Sequence, residues 1–533
     1  MRKKVLGIIL TFTMLLASGC SKEENKINII DDNYRNYYEI FVRSFYDSDG
    51  DGIGDIKGII EKLDYLKDND FKTKNDLGID GIWLMPIMPS PTYHKYDVKD
   101  YYSIDPQYGT MEDFEELIAK CNERGIKVII DLVVNHSSAQ HPWFLSAKKS
   151  LTIEPCGQEQ CTHEELCREH NKYVEYYNFA QQNKTGYHSV GMPSGWYYEG
   201  RFWDQMPDLN LDNPEVRDEI EKIGKFWIDK GVAGFRMDAV TSFYTGSNTK
   251  SIEFLKDFTD RMKAYKKDVY IVGEVWANGG TISQYYKSGA DSFFNFPLSE
   301  STGKVATAIR KKDGIGFSKA VEQWQKEIKG VNKDAIDAPF ISNHDQGRSA
   351  GYFGQKLEQL KMAASLYQMI PGNTFIYYGE EIGMIGSGKD ENKRLPMVWS
   401  TTDKKGITEA PPYADYGKTI ETGVAEQEKD EKSLLQFYKD IIRIKNENPE
   451  IQRGTVTSID LGNDAVCAYS VEYENSKVYI IHNLSDQQVE LDLSGEEYAK
   501  LKVRGELLTN DGKITLKKGK LTMPSLSTAV LKK

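Results

Sequence analysis

Three acids, Asp238, Glu274 and Asp345, each close an apolar run: GVAGFRMDAV (231–240), VYIVGEVW (269–276) and FISNHDQGR (340–348). Packing alone gains nothing from an apolar β-run that ends in a carboxylate. Three such runs point to carboxylates converging at one end of a parallel barrel, where barrel enzymes keep their chemistry. Two close carboxylates in different environments are what glycosidic bond cleavage requires. Arg236 and Asp238 stand at i and i+2, so both side chains face the barrel interior. A neighbouring guanidinium favours the ionised carboxylate, the state a covalent nucleophile must have. Glu274 instead follows VYIVG and precedes Trp276, and apolar surroundings keep a carboxylic acid protonated to higher pH. That suits a general acid that later acts as a base.

A second chemical motif is DSDGDGIGD (47–55). Asp47, Asp49, Asp51, the carbonyl of Ile53 and Asp55 fall at the ligand spacing of an EF-hand calcium loop, with Gly52 at the sharp turn. The twelfth position is Gly58, so the bidentate glutamate of a sensor is missing. The expected metal is a structural Ca2+.

The elements that must position these residues follow one rhythm. Strand-like runs occur at 37–45, 78–86, 125–134, 231–239, 269–275, 290–296, 338–344 and 373–379, with amphipathic helical runs between most of them. Eight β/α alternations predict a closed (β/α)8 barrel, an α/β fold, rather than an open sheet. In NPEVRDEIEKIGKFWIDKG (213–231), Asn213 is placed to cap a helix that begins at Pro214. The third unit breaks the rhythm with about seventy residues lacking helical period, the signature of a functional loop or small inserted domain on the catalytic face. After KSLLQFYKDIIRIKNENPE (432–450) the pattern alternates apolar and polar residues, as in AVCAYSVEYENSKVYIIHNLS (465–485), and predicts a C-terminal β-sandwich. The expected organisation is a barrel at 36–135 and 208–449, an insertion at 136–207 and an all-β domain at 450–533.

The net charge of −12 and the lack of a basic stripe argue against a nucleic-acid partner and fit a neutral substrate. The 32 Tyr and 8 Trp suit stacking against sugar rings as well as ordinary packing. Arg2, Lys3 and Lys4 precede an apolar run too short for a firm membrane span, which closes with Ala17-Ser18-Gly19-Cys20. Residues 1–20 resemble a bacterial lipoprotein signal in which Cys20 takes the lipid, and 21–35 read as a polar tether. The expected location is the outer face of the cell membrane, held only through that lipid, with the protein a monomer. Cys156, Cys161 and Cys167 cluster near His163 and His170. Their x4 and x5 spacings differ from the C-x2-C pairs of zinc sites. In a secreted chain one loop disulfide is expected.

From about Tyr37 to its end the chain resembles the α-amylase family, glycoside hydrolase family 13. GIDGIWLMPI, DLVVNH (131–136), GFRMDAV, GEVW, SNHD and GNTFIYYGEE resemble its motifs at strands two, three, four, five, seven and eight, in order. MPDLN (206–210) resembles the group intermediate between oligo-1,6-glucosidases and neopullulanases. The resemblance implies Asp238 as nucleophile, Glu274 as acid and base, and Asp345 as transition-state stabiliser. It implies substrate contacts from Tyr96, His136, Arg236 and His344, with Trp276 beside them, and a calcium in the first loop as in oligo-1,6-glucosidase-like members. Asp131 and Asn135 brace the site, and Asn135 has calcium-binding counterparts. The implied activity is retaining hydrolysis of α-1,4 links in starch or maltooligosaccharides. Glucanotransfer, neopullulanase or oligo-1,6-glucosidase activity and a non-catalytic glycan-binding role are the alternatives.

Overall fold

The computed structural model describes residues 32–70, 73–158, 161–417 and 419–533. The signal ending at Cys20 and most of the tether lie outside the described residues. Eight parallel strands form one sheet: β1 Tyr37–Ile40, β2 Gly81–Leu84, β3 Lys127–Leu132, β4 Gly234–Met237, β5 Tyr270–Gly273, β6 Ser292–Phe294, β7 Ile336–Ala338 and β8 Phe375–Tyr377. The order β7-β6-β5-β4-β3-β2-β1-β8 winds once around. Backbone bonds from Asn373 N–H to Asp337 O (2.8 Å) and from Phe375 N–H to Pro339 O (3.0 Å) draw its two edges together into the barrel. Every residue of β1, β2, β4 and β5 is buried, as expected of strands covered on both faces.

The run expected as strand seven, 338–344, begins where β7 ends. Pro339 has no N–H to continue the ladder, so the chain leaves the sheet there and carries His344 and Asp345 over the barrel mouth. The first strand likewise stops at Ile40, and Val42–Ser44 turns as a 3-10 helix. The helix Pro214–Asp229 follows its sequence signals: Asn213 accepts the N–H of Glu215 (2.9 Å) and Pro214 opens the first turn.

The excursion after β3 holds a helix, Pro142–Ser150, capped by His141, where no helical period was expected. It also holds a small antiparallel sheet of Phe179–Ala180, Tyr187–Ser189 and Tyr197–Glu199. Its outgoing and returning ends pair through Ser137 N–H to Pro207 O (3.1 Å) and Leu209 N–H to Asn135 O (2.9 Å). That pairing fixes the stem of the insertion beside His136.

Eight antiparallel strands complete the chain: β9 Thr455–Ile459, β10 Val466–Tyr473, β11 Ser476–Asn483, β12 Val489–Asp492, β13 Lys502–Leu508, β14 Thr515–Lys517, β15 Lys520–Met523 and β16 Ser527–Lys532. They form sheets ordered β9-β10-β11-β16-β13 and β12-β15-β14. Ala468, Ile481, Leu491, Leu521 and Leu531 share the core between them. Among the described residues no helix is long and apolar enough to cross a membrane.

Candidate active site

Arg236 sits in β4 directly across from Asp131 in β3 and is fully buried. Its Nη1 donates to both Asp131 oxygens (2.9 and 3.1 Å) and to Asp238 Oδ1 (2.5 Å), and its Nη2 lies 3.1 Å from Glu274 Oε2. One guanidinium thus holds three carboxylates that belong to three adjacent strands. Its planar fork can do this; a point-charge ammonium cannot. Asp238 and Glu274 each stand one residue beyond their strand, where the chain turns away and frees the side chain toward the mouth. Ala239, next after Asp238, adopts a left-handed conformation (φ 48°, ψ 42°) and aims its N–H at Glu274 Oε2 (2.9 Å). Gly273 must lack a side chain, since a Cβ there would come within 2.5 Å of the Phe293 ring.

Burial raises the Glu274 carboxyl above its ordinary value, against the pull of Arg236 and with the push of the Asp238 and Asp345 charges. Asp345 behaves oppositely. Burial pushes it up, but the His344 and Arg394 charges outweigh this and hold it well below the usual carboxylate range. Arg394 Nη2 lies 2.7 Å from Asp345 Oδ1, and His344 Nε2 lies 3.0 Å from Asp345 Oδ2. His344 is buried, with Nδ1 2.5 Å from Glu39 Oε1 and Nε2 2.7 Å from the Tyr96 hydroxyl. Burial disfavours its cation, yet Asp345 and Glu39 raise its pKa to about 10.

Tyr96 stacks on the His344 ring at 5.7 Å and donates its hydroxyl to Asp131 Oδ2 (3.0 Å). His136 is buried and held neutral by that burial. Its Nδ1 meets Asn135 Nδ2 at 3.3 Å, and its Nε2 has no protein partner. Trp276 is half exposed at the rim, stacked on Phe296 at 5.1 Å. The cleft that Tyr96, His136, Asp238, Glu274, Trp276 and Asp345 line encloses about 470 Å3. Phe202 and Trp203 of the insertion, with Asp390 and Arg394, form its other walls.

Glu39 and Arg394 were not singled out by periodicity or spacing. Glu39 carried a signal, an acid inside the apolar run YYEIF. Arg394 lies in ENKRLPM, a polar segment with no strand to end, and only the fold brings it to Asp345.

In the first loop, carboxylate oxygens of Asp47, Asp49 and Asp55 lie within 4.8 Å of one another. Asp51, the other expected carboxylate, is outside this group and accepts the N–H of Ile53 (2.7 Å), as Asp49 accepts the N–H of Asp51 (3.2 Å), both local Asx turns. Gly50 and Gly52 have φ of 87° and 89°, and their N–H groups close the loop on Asp47 at 2.6 and 2.8 Å. Three converging carboxylates fit a hard cation such as Ca2+.

A parallel eight-stranded barrel with acids converging at the carboxyl ends of its strands defines a barrel glycoside hydrolase. Residues 39–454 match the family model for the alpha-amylase catalytic domain, and residues 466–530 match the alpha-amylase SusG C-terminal domain. The chain belongs to the α-amylase family. It is 40% identical to Alpha-amylase 3 of Dictyoglomus thermophilum, covering 94% of this chain and 93% of that one. Identity to an oligo-1,6-glucosidase of Parageobacillus thermoglucosidasius is 31%, over 84% of this chain and 90% of the other. Among solved structures, Eubacterium rectale Amy13B is 42% identical, with a TM-score of 0.88 over 96% of this chain and 97% of that one.

Proposed function

We propose that this glycoside hydrolase cleaves α-1,4-glucosidic bonds in starch or maltooligosaccharides with retention of configuration. The observation that carries the reading is the single guanidinium that Asp238 and Glu274 share, at 2.5 Å from one and 3.1 Å from the other. Retaining enzymes need about 5–5.5 Å between them, whereas inverting enzymes leave about 6.5–9.5 Å for a water. Asp238, held by Arg236 Nη1, attacks the anomeric carbon. Glu274, whose carboxyl burial raises above its ordinary value, protonates the departing glycosidic oxygen. Glu274 then takes a proton from water, which displaces Asp238 and restores both groups. Asp345 stays anionic beside Arg394 and supports positive charge on the ring. Tyr96 provides a stacking face, and the unpartnered Nε2 of His136 meets a sugar hydroxyl.

The α-1,4 preference draws on the relative named an alpha-amylase and on Ala239, the small residue beside the nucleophile. The relative named an oligo-1,6-glucosidase keeps α-1,6 cleavage as the second reading. A structural Ca2+ held by Asp47, Asp49 and Asp55, and attachment to the outer membrane face through Cys20, complete the proposal. Incubation with amylose, maltoheptaose and isomaltooligosaccharides, with Asp238→Asn as control, tests it. Short α-anomeric maltooligosaccharides from amylose are expected. Turnover of isomaltooligosaccharides alone replaces the α-1,4 reading with the α-1,6 one, and β-anomeric products refute retention.

A further inference from the structure

In place of the loop disulfide expected in a secreted chain, the structure shows Cys156, Cys161 and Cys167 unpaired. Instead their three sulfurs gather with His170, each ligand atom within 4.8 Å of the others. Cys156 Sγ is 3.5 Å from His170 Nδ1, and Cys167 Sγ is 3.3 Å from it. Zinc bonds of about 2.3 Å to sulfur and 2.0–2.1 Å to nitrogen put the corners of a tetrahedron about 3.6–3.8 Å apart. A disulfide would need two sulfurs at about 2.05 Å and would leave the third without a partner.

We propose that Cys156, Cys161, Cys167 and His170 form a tetrahedral Cys3His site for a structural zinc ion. Three features of the surroundings support it. The x4 and x5 spacings are unusual, but Cys167-x2-His170 is a short chelate whose turn is set by His170 N–H to Cys167 O (3.1 Å). The segment has almost no apolar support: no residue of its short helix Glu164–Leu166 is buried. A cross-link is therefore what it lacks, and thiolate-bound zinc supplies folding energy where a core is absent. Just outside the cluster, Glu169 Oε2 accepts the Gly157 N–H at 3.0 Å and stands 3.8 Å from Cys156 Sγ, fixing the turn that presents that sulfur. The loop then docks on the helix Pro142–Ser150 through Asn171 Nδ2, which donates to Ser146 Oγ (2.9 Å) and Ser150 Oγ (2.8 Å). The soft donor set separates this site from the all-oxygen loop at Asp47.

Elemental analysis of the full chain, dialysed against metal-free buffer, tests the site. One zinc per chain is expected, and Cys161→Ser and His170→Ala should each lower it at least tenfold. In the unmutated chain, alkylation of Cys156, Cys161 and Cys167 should be slow until a chelator is added. Cobalt substitution should give thiolate-to-metal charge-transfer absorption. Zinc that persists in both variants overturns the assignment. So does a zinc-free chain whose three thiols alkylate freely, or one whose mass shows two of them oxidised.

Discussion

Glu39 and His344 meet inside the barrel, Oε1 to Nδ1 at 2.5 Å, although 305 residues separate them in the chain. With Asp345 on its other nitrogen, His344 is clamped between two carboxylates and titrates at about 10. Its folded pKa is raised, so its contribution to stability is complete below the unfolded value near 6.5 and is lost as pH rises through about 10. Glu39→Gln removes one of the two charges. The alkaline loss of stability should move to lower pH, and kcat should fall about tenfold or more, the equivalent of about 1.4 kcal/mol. Thermal unfolding and kcat measured across pH 6–11 check both. An unmoved alkaline limb would show that Glu39 does not set the state of His344.

Arg236→Lys should be far from conservative. The guanidinium donates to Asp131 and Asp238 and pairs with Glu274, while lysine brings a compact charge that cannot span them. Leaving buried carboxylates without their partner costs about 3–5 kcal/mol. The expected result is a fall in kcat/KM of at least a thousandfold together with a lowered unfolding temperature. Calorimetry beside steady-state kinetics separates the two effects.

Glu274 should show its role through the leaving group. General acid catalysis contributes about 10²–10⁴-fold, and only when the departing oxygen needs a proton. Glu274→Ala should therefore lose more kcat/KM, which reports the first step alone, on maltoheptaose than on an α-glucosyl fluoride, whose leaving group needs little help. Because burial raises the Glu274 carboxyl, kcat/KM of the unmutated enzyme should decline as pH rises through that raised value. The decline should disappear for the fluoride in the variant. Equal losses on both substrates would remove Glu274 from the acid role.

The acidic first loop gives a graded expectation. Asp47, Asp49 and Asp55 converge, while Asp51 turns to the N–H of Ile53. Asp47→Asn and Asp49→Asn should lower the unfolding temperature and abolish its rise on adding Ca2+, since a ligand bound only by the folded state stabilises it by mass action. Asp51→Asn should keep most of that rise. A loss in Asp51→Asn as large as in Asp47→Asn would restore the full five-ligand loop.

Much of the barrel was legible because its strands are short apolar runs and its acids stand just beyond their ends. Asp238, Glu274, Asp345, Tyr96, His136 and Trp276 all line one cleft. What stayed hidden depends on contacts between distant segments. Arg394 sits in a polar stretch without period, and nothing local tells that its Nη2 will reach Asp345. The extent of strand seven was misread because apolarity continues through Phe340 and Ile341 after Pro339 has ended the ladder. The cysteine cluster showed in sequence only as three thiols near two histidines, because the turn at Cys167-x2-His170 that brings His170 Nδ1 to two of the sulfurs is set by the fold.

Ala239 ties a left-handed backbone to the linkage preference proposed above. A non-glycine residue at φ 48° pays about 1–2 kcal/mol, and a β-branched residue there is worse placed because two substituents crowd the turn. Ala239→Val should therefore destabilise the fold by about 1–3 kcal/mol. It should also shift the N–H that Glu274 Oε2 accepts and push a methyl into the cleft next to Asp238. Cleavage of maltotriose should fall more than cleavage of isomaltotriose, lowering the ratio of their kcat/KM values. Ala239→Gly keeps the N–H and removes the strain, so its unfolding free energy should stay within about 1 kcal/mol of the starting protein and its ratio should not change. Denaturant unfolding and the two kcat/KM values decide the matter. A valine variant with unchanged stability and an unchanged ratio would remove Ala239 as a determinant of linkage preference.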